Sequence, residues 1–396
     1  MHQTIITNGT IVTPGETFKG NIVLSNGIIE DIEKTDGSST LHLQSDNYET
    51  VNAEDKYVLP GLIDTHSDAF EKIINPRKNA LFPFSFSFQA MQPQLLSCGI
   101  TTMLHAVSFN GEEGLRSNEN GLKIAREIEK LQLSRDASLR HFLHVRYEIT
   151  NEEGLTVLND LIEQKLVYLL SIMDHSSQYD SPYQLDKTVG LTEEEVFQLA
   201  EDARSKKALI DPSKWKKLIN TAQNQGISVA SHDDETKEHV EQFRQLGVTI
   251  SEFPLTTEAA QYAVDHDMFT VFGAPNIIRG KSHKNSISAK EAVEKELAAI
   301  ICSDYYPYSL LPSIFHLHNE GMELHQAVAL ATLHPAQALQ VDSWLGSLET
   351  GKTADLCLVE HTPEDRVSVT DVMVNGEWNF VQRKGNVRNP ANSVHS

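Results

Sequence analysis

His66-Ser67-Asp68, which follows the apolar run Tyr57-Val58-Leu59-Pro60-Gly61-Leu62-Ile63-Asp64, is the segment best suited to chemistry. In an extended chain residues i and i+2 point to one side, so an imidazole and a carboxylate at this spacing can reach a single divalent cation. Alone, the pair has a second reading, in which Asp68 caps a helix over Ala69 to Ile74. Similar side chains recur downstream, each at the end of an apolar run: Glu148, Asp174-His175, His232-Asp233-Asp234, Glu252 and Asp304. Singly, each has an ordinary role. Glu148 could pair with Arg146, Asp174 or Asp233 could cap a helix, His175 could satisfy a loop carbonyl, and Asp304 could open the turn before Pro307. Their recurrence at strand end after strand end argues for a common centre. His66, Asp68, Glu148, His175, His232 and Asp304 supply imidazoles and carboxylates in equal number, enough for one or two divalent ions, with one carboxylate bridging a pair. A mixed nitrogen and oxygen set suits zinc, with manganese or iron as alternatives, better than calcium, and the lack of thiolate weighs against a purely structural zinc site. His105, His144, His316, His318, His325 and His334 are read as packing or surface residues, and His334-Pro335-Ala336 as a helix start with proline in its first turn.

These residues need a scaffold that brings distant strand ends together. Between Tyr57 and Leu345, β-branched runs alternate with helix-like stretches, the pattern of repeated βα units on a parallel sheet. Candidate strands are Val58 to Ile63, Thr101 to Ala106, Phe142 to Tyr147, Val167 to Met173, Ile227 to Ser231, Thr249 to Glu252, Thr270 to Gly273 and Ala299 to Ser303. Helical spacing of apolar residues marks Leu155 to Gln164, Glu193 to Arg204, Trp215 to Gln225, Thr236 to Leu246, Glu258 to His266 and Ala289 to Glu296. Eight such units make a (β/α)8 TIM barrel of the α/β class, in which chemistry gathers at the C-terminal strand ends. Both ends of the chain read instead as short strands with Asn-Gly turns, at Asn8-Gly9, Asn26-Gly27 and Asn375-Gly376. The expected organisation is a small β-sandwich domain from residues 1–56 and 346–385, a hydrolase barrel over 57–345, and a loose tail over 386–396.

Composition narrows the partners. A net charge of −22 opposes attraction to nucleic acid or anionic lipid, which depends on clustered lysine and arginine. A small anionic substrate stays open, because a bound cation and a few basic groups can invert the potential inside a pocket. Met1-His2-Gln3-Thr4 lacks the basic-then-apolar pattern of a secretory signal, and no apolar run reaches the length of a membrane span, so a cytoplasmic protein is expected. Cys98, Cys302 and Cys357 are far apart and read as buried free thiols.

The string Val58 to His66, Ser303-Asp304, Ala331-Thr332-Leu333-His334-Pro335-Ala336 and Gly346 to Leu356 together resemble the amidohydrolase superfamily across nearly the whole chain. Most members carry His-x-His after the first strand, where this chain has Asp68. A narrower set accounts for that departure: His66-Ser67-Asp68-Ala69-Phe70-Glu71-Lys72 with Pro76-Arg77, Met173-Asp174-His175, Ala230 to Asp234, Glu252-Phe253-Pro254, Gly273 to His283 and Ser303-Asp304-Tyr305. It is similar to the α-D-ribose 1-methylphosphonate 5-triphosphate diphosphatase family of the carbon-phosphorus lyase pathway. The resemblance implies a phosphorylated ribose substrate, cleaved at its α–β phosphoanhydride to 5-phospho-α-D-ribose 1-methylphosphonate and pyrophosphate. It also implies that Asp304 takes the proton of the nucleophilic water and that the protein is a homodimer. Lys72, Arg77, Arg279, Lys281 and His283 are the candidate phosphate contacts, because cationic donors clamp charge on phosphoryl oxygens; a solvated loop is the other reading, and Arg279 is the strongest of the five. The same fold and ions would serve an amidohydrolase or deaminase acting on a cyclic amide or nucleobase. Phosphate-directed cations discriminate between the two. A scaffold that has lost its chemistry is disfavoured by the full ligand set.

Overall fold

The computed structural model describes residues 3–35, 48–177, 179, 181, 183, 190–280, 282, 286–362, 364 and 366–382. Lys281, His283 and the tail over 386–396 lie outside the described residues. Eight strands, Leu62–Ser67, Ile100–Phe109, Arg140–Glu148, Val167–Met173, Ser228–His232, Ile250–Glu252, Phe269–Gly273 and Ile300–Cys302, are parallel and hydrogen-bonded in chain order. The eighth returns to the first. Asp304 N–H donates to the His66 carbonyl and Asp68 N–H to the Asp304 carbonyl, both at 2.9 Å. The sheet is therefore a (β/α)8 barrel, as the alternation of runs predicts, and its seam is made by three of the residues singled out for chemistry.

A second sheet takes strands from both chain ends: Gln3–Val12, Thr17–Ser25, Ile28–Lys34, Tyr48–Asn52, Tyr57–Pro60, Leu356–His361, Val367–Val374 and Glu377–Val381. Its own apolar cluster includes Ile6, Ile11, Ile22, Val58, Leu356 and Met373. The run expected as one strand, Val58 to Ile63, is two: Tyr57–Pro60 pairs with the N-terminal and C-terminal strands, and Leu62–Ser67 opens the barrel. Gly61 is the point of transfer. A Cβ there would lie 2.2 Å from Thr101 Oγ1, and its N–H donates to the Asp355 carbonyl at 3.0 Å. Arg140, at the start of the third barrel strand, ties the units together by ion-pairing with Asp355 and hydrogen bonding Asn375.

The expected helices appear as Gly154–Glu163, Glu193–Ala208, Pro212–Asn224, Lys237–Arg244, Thr257–Asp265 and Ala289–Glu294. Phe84–Ser97, Asn118–Gln132 and Leu310–Asn319 are helices that the sequence patterns leave unmarked. Between the fourth and fifth strands, Pro212–Asn224 buries Trp215, Leu218, Ile219 and Ala222, whereas Glu193–Ala208 buries only Ala200. The former is the wall helix and the latter stands over the barrel mouth. No helix among the described residues is long and apolar enough to cross a membrane.

Inside the barrel, Leu104, Phe142, Leu169, Ala230, Ile250, Val271, Ile300 and Cys302 form an apolar plug, one side chain or more from most strands. Side chains alternate along a strand, so the next inward positions lie two residues on. Those positions are His144, Ser171, His232, Glu252, Gly273 and Asp304: the plug is the floor and the polar layer above it is the site.

Candidate active site

His66, Asp68, Glu148, His175, His232 and Asp304 all line one cleft of about 850 Å³ at the C-terminal mouth of the barrel. Within and beneath it the ligand-type atoms fall into two tight groups, one of His66, His144 and Glu252 and the other of His175, His232 and Asp233. His66 Nδ1 lies 3.1 Å from Glu252 Oε1, and the other Glu252 oxygen accepts from the Ser171 hydroxyl. His144 sits between the Thr65 carbonyl at 3.0 Å and Ser171 Oγ at 2.9 Å. His175 Nδ1 is 2.9 Å from Glu148 Oε2 and its Nε2 3.7 Å from Asp233 Oδ2. Phe253 wedges edge-on between His66 and His232, with centroids 4.9 and 5.4 Å away.

The ordinary reading of Asp68 fails, since its side chain makes no capping bond to the helix Ala69–Ile74. It faces Arg116 at 3.5 Å and Arg146 at 3.9 Å instead. Asp174 does take an ordinary role, accepting from Ser176 N–H at 3.2 Å and pairing with Lys207 at 2.7 Å. Lys72, Arg77 and Arg279 are exposed and are not among the residues lining the cleft; the Lys72 ammonium lies over the Tyr305 ring. Among the described residues the lysines and arginines that do line it are Arg116, Arg146 and Lys206. Of the residues the sequence reasoning passed over, His144 and Arg146 carried a signal, because His144-x-Arg146-x-Glu148 puts all three on the inner face of one strand. Arg116 carried none, and Phe253 stood only within the string Glu252-Phe253-Pro254, with nothing to single out its ring.

Burial governs the electrostatics. It pushes Asp304 up to about 7, helped by the Asp68 carboxylate and opposed by Arg146. His66 and His232 are held well below their usual range, by burial first and then by the Arg146 charge for His66. His175 goes the other way. Burial draws it down, but hydrogen bonds to Asp233 and Glu148 outweigh that and raise it to about 9. A proton gripped between two carboxylates marks the kind of place a divalent cation would take over. His232 Nδ1 is buried with no hydrogen-bond partner among the described residues, and a buried orphan nitrogen costs free energy unless something ligates it. The donor set of imidazoles and carboxylates fits a divalent ion, which would replace the proton on His175.

Known proteins resemble this chain in sequence and in fold. The sequence is 32% identical over 95% of this chain and the full length of α-D-ribose 1-methylphosphonate 5-triphosphate diphosphatase from Escherichia coli (strain K12). It is 21% identical, over 86% of the chain and 85% of the relative, to imidazolonepropionase from Picrophilus torridus. Among solved structures, N-acetylglucosamine-6-phosphate deacetylase from Pasteurella multocida superposes with a TM-score of 0.62 at 16% identity, covering 95% of this chain and 99% of that one, a likeness of fold. Residues 57–390, the barrel with part of the terminal sheet, match the amidohydrolase family, and the chain belongs to it.

Proposed function

We propose that the protein hydrolyses the α–β phosphoanhydride of α-D-ribose 1-methylphosphonate 5-triphosphate, releasing pyrophosphate and 5-phospho-α-D-ribose 1-methylphosphonate. The observation that carries this reading is a cleft with Arg116, Arg146 and Lys206 among its acids and imidazoles, in a chain related along nearly its whole length to a diphosphatase. A triphosphate gives the buried Arg146 guanidinium, which has no close carboxylate among the described residues, an anion to bind, and a neutral cyclic amide or nucleobase does not.

His66, His175 and His232, with Asp68, Glu148 and Asp304, are the proposed holders of one or two divalent ions; Glu252, His144 and Asp233 lie close enough to share that task. Zinc is the proposed ion, with manganese or iron as competitors, and when bound it supplies Lewis acidity for water and phosphoryl oxygen. Asp304, whose carboxyl is poised near neutrality, accepts a proton from the attacking water. The new oxygen–phosphorus bond forms at the α-phosphorus, the bridging bond to the β-phosphorus breaks, and pyrophosphate leaves with that electron pair. Arg116, which forks onto Glu71 with two 3.0 Å bonds, and Lys206 on the helix over the mouth face the departing anion. The cytoplasm is the proposed location.

Phosphorus NMR of the protein incubated with the triphosphate is the test. The expected product pair is pyrophosphate and the 5-phosphate, in equal amounts, with the reaction abolished in metal-stripped protein. Absence of pyrophosphate, with ammonia or a ring-opened acid released from a cyclic amide or nucleobase panel, overturns the reading.

A further inference from the structure

Among the described residues Arg146 is a buried charge with poor partners. Only 9% of it is exposed, and its Nε has no partner among the described residues. His232 Nε2 lies 3.5 Å from its Nη2 and Asp68 Oδ2 3.9 Å from its Nη1. Neither distance makes a good hydrogen bond, and a carboxylate seated properly on a guanidinium fork lies below 3 Å. A guanidinium taken out of water without close acceptors is costly. Glu148, two residues along the same inner face, is within the sequence's reach as a partner, yet its carboxylate is turned to His175. The fork therefore points into the cleft with donors to spare, between His232 and Asp68, in the layer directly above the apolar plug.

We propose that Arg146 is the seat of a tetrahedral oxyanion, the α-phosphoryl group of the substrate, whose equatorial oxygens it grips as charge develops on them. This rests on the diphosphatase reading for the identity of the group and on the geometry above for the seat itself. Arg146 then acts where negative charge builds in the transition state, while Arg116 and Lys206 lie further out along the leaving group.

The test uses the full-length protein as purified, with Arg146→Met and Arg146→Lys, inorganic phosphate as probe, and metal content measured alongside. In wild type, phosphate is expected to bind and to inhibit competitively. Arg146→Met is expected to lose phosphate affinity by about tenfold or more and kcat by about 10²-fold, with unchanged metal content and, because an unpaired buried charge is gone, an equal or higher melting temperature. Arg146→Lys keeps the charge without the fork and is expected to fall between the two; it also serves should the Met variant misfold. Unchanged phosphate affinity in either variant overturns the proposal, as does a lower melting temperature with unchanged affinity, which would make Arg146 structural. The two readings fail separately. If no triphosphate is turned over yet phosphate affinity falls in Arg146→Met, the seat stands without the diphosphatase; if turnover is unaltered in Arg146→Met, the diphosphatase stands without the seat.

Discussion

Removing the buried pair His105 and His141 should make the protein more resistant to acid. The rings stack behind the second and third barrel strands with His105 Nε2 2.9 Å from His141 Nδ1, against Phe88 and away from the cleft. Burial lowers His141 from 6.5 to about 3, and burial and the neighbouring ring hold His105 well below 6.5. A group whose folded pKa is depressed binds fewer protons in the native state. Its contribution to stability is therefore complete above the unfolded value of 6.5 and is lost progressively as pH falls below it toward the folded value. His141 costs about 1.4 kcal/mol per pH unit in that window, about 2 kcal/mol at pH 5, and His105 adds to it in the same direction, a sizeable part of the margin of an ordinary domain. The substitution His105→Phe with His141→Leu keeps the volume apolar. Phe replaces a ring whose Nδ1 has no hydrogen-bond partner among the described residues, and Gln92 keeps Ser138 N–H at 2.7 Å and the Asp136 carbonyl at 3.1 Å. Melting temperatures of wild type and double variant, measured from pH 8 to pH 5, should diverge below 6.5, with the variant falling less steeply. Parallel curves would refute the argument. The outcome bears on function too, because an acid limb in the activity profile that moves with this pair reports unfolding and not a catalytic group.

Other substitutions probe the site directly. Asp304→Asn should lose about 10²-fold or more in turnover beyond any loss of metal, as expected for a removed general base; steady-state kinetics beside metal analysis decide it, and near-wild-type turnover with retained metal removes Asp304 from that role. Asp64 Oδ1 accepts Ser303 N–H at 3.0 Å and His66 N–H at 3.4 Å, so Asp64→Ala strands buried donors at the seam, at a cost of about 1–3 kcal/mol. Asp64→Asn keeps the acceptor and should melt above the Ala variant and turn over faster; identical behaviour of the two would show that the clamp is idle. Chelation should lower the melting temperature and readdition of zinc restore it, by about 2.7 kcal/mol at a free ion concentration one hundred times the dissociation constant. A melting curve indifferent to chelator would speak against an ion on these residues.

The barrel was legible because its strands are punctuated: each apolar β-branched run stops at a polar residue or a glycine, and the helices between them keep a 3.6-residue period. Where punctuation is missing the reading slips. Tyr57 to Asp64 runs apolar through Gly61, and only the close approach of Thr101, forty residues on, shows that the chain changes sheets there. Phe84–Ser97 has Pro93 inside it and phenylalanines spaced by two, closer to a strand pattern than to a helix, yet it buries Phe88, Met91, Leu95 and Leu96 on one side. The same division runs through the site. His66, His175, His232 and Asp304 sit at strand ends and could be found there. Arg146 lies inside a strand next to an obvious local partner, and only the three-dimensional arrangement shows Glu148 engaged elsewhere. The candidate phosphate contacts Lys72, Arg77 and Arg279 lie outside the cleft, while Arg116 enters it from a turn 48 residues beyond Asp68, an encounter no local pattern encodes.

The alternation rule also explains where sequence reasoning had to stop. Consecutive residues of a strand face opposite ways, yet His232 and Asp233 both line the cleft. The chain achieves this by reversing its backbone: Asp233, Phe253 and Asp304, just past the ends of the fifth, sixth and eighth strands, have φ of 55°, 53° and 56°. Aspartate tolerates the left-handed region, so at Asp233 and Asp304 local preference and site geometry agree. Phenylalanine does not tolerate it well, and a bulky residue there costs about 1–2 kcal/mol. Phe253 is held in that conformation by what surrounds it, its N–H bonded to the Val271 carbonyl at 2.9 Å and its ring set edge-on to His66 and His232. Strain persists where the surrounding structure over-determines it, and here the surroundings are the two imidazoles that most need a fixed orientation. Local rules therefore break at Phe253 because the position is set by the partners packed around its ring and not by its own backbone preference.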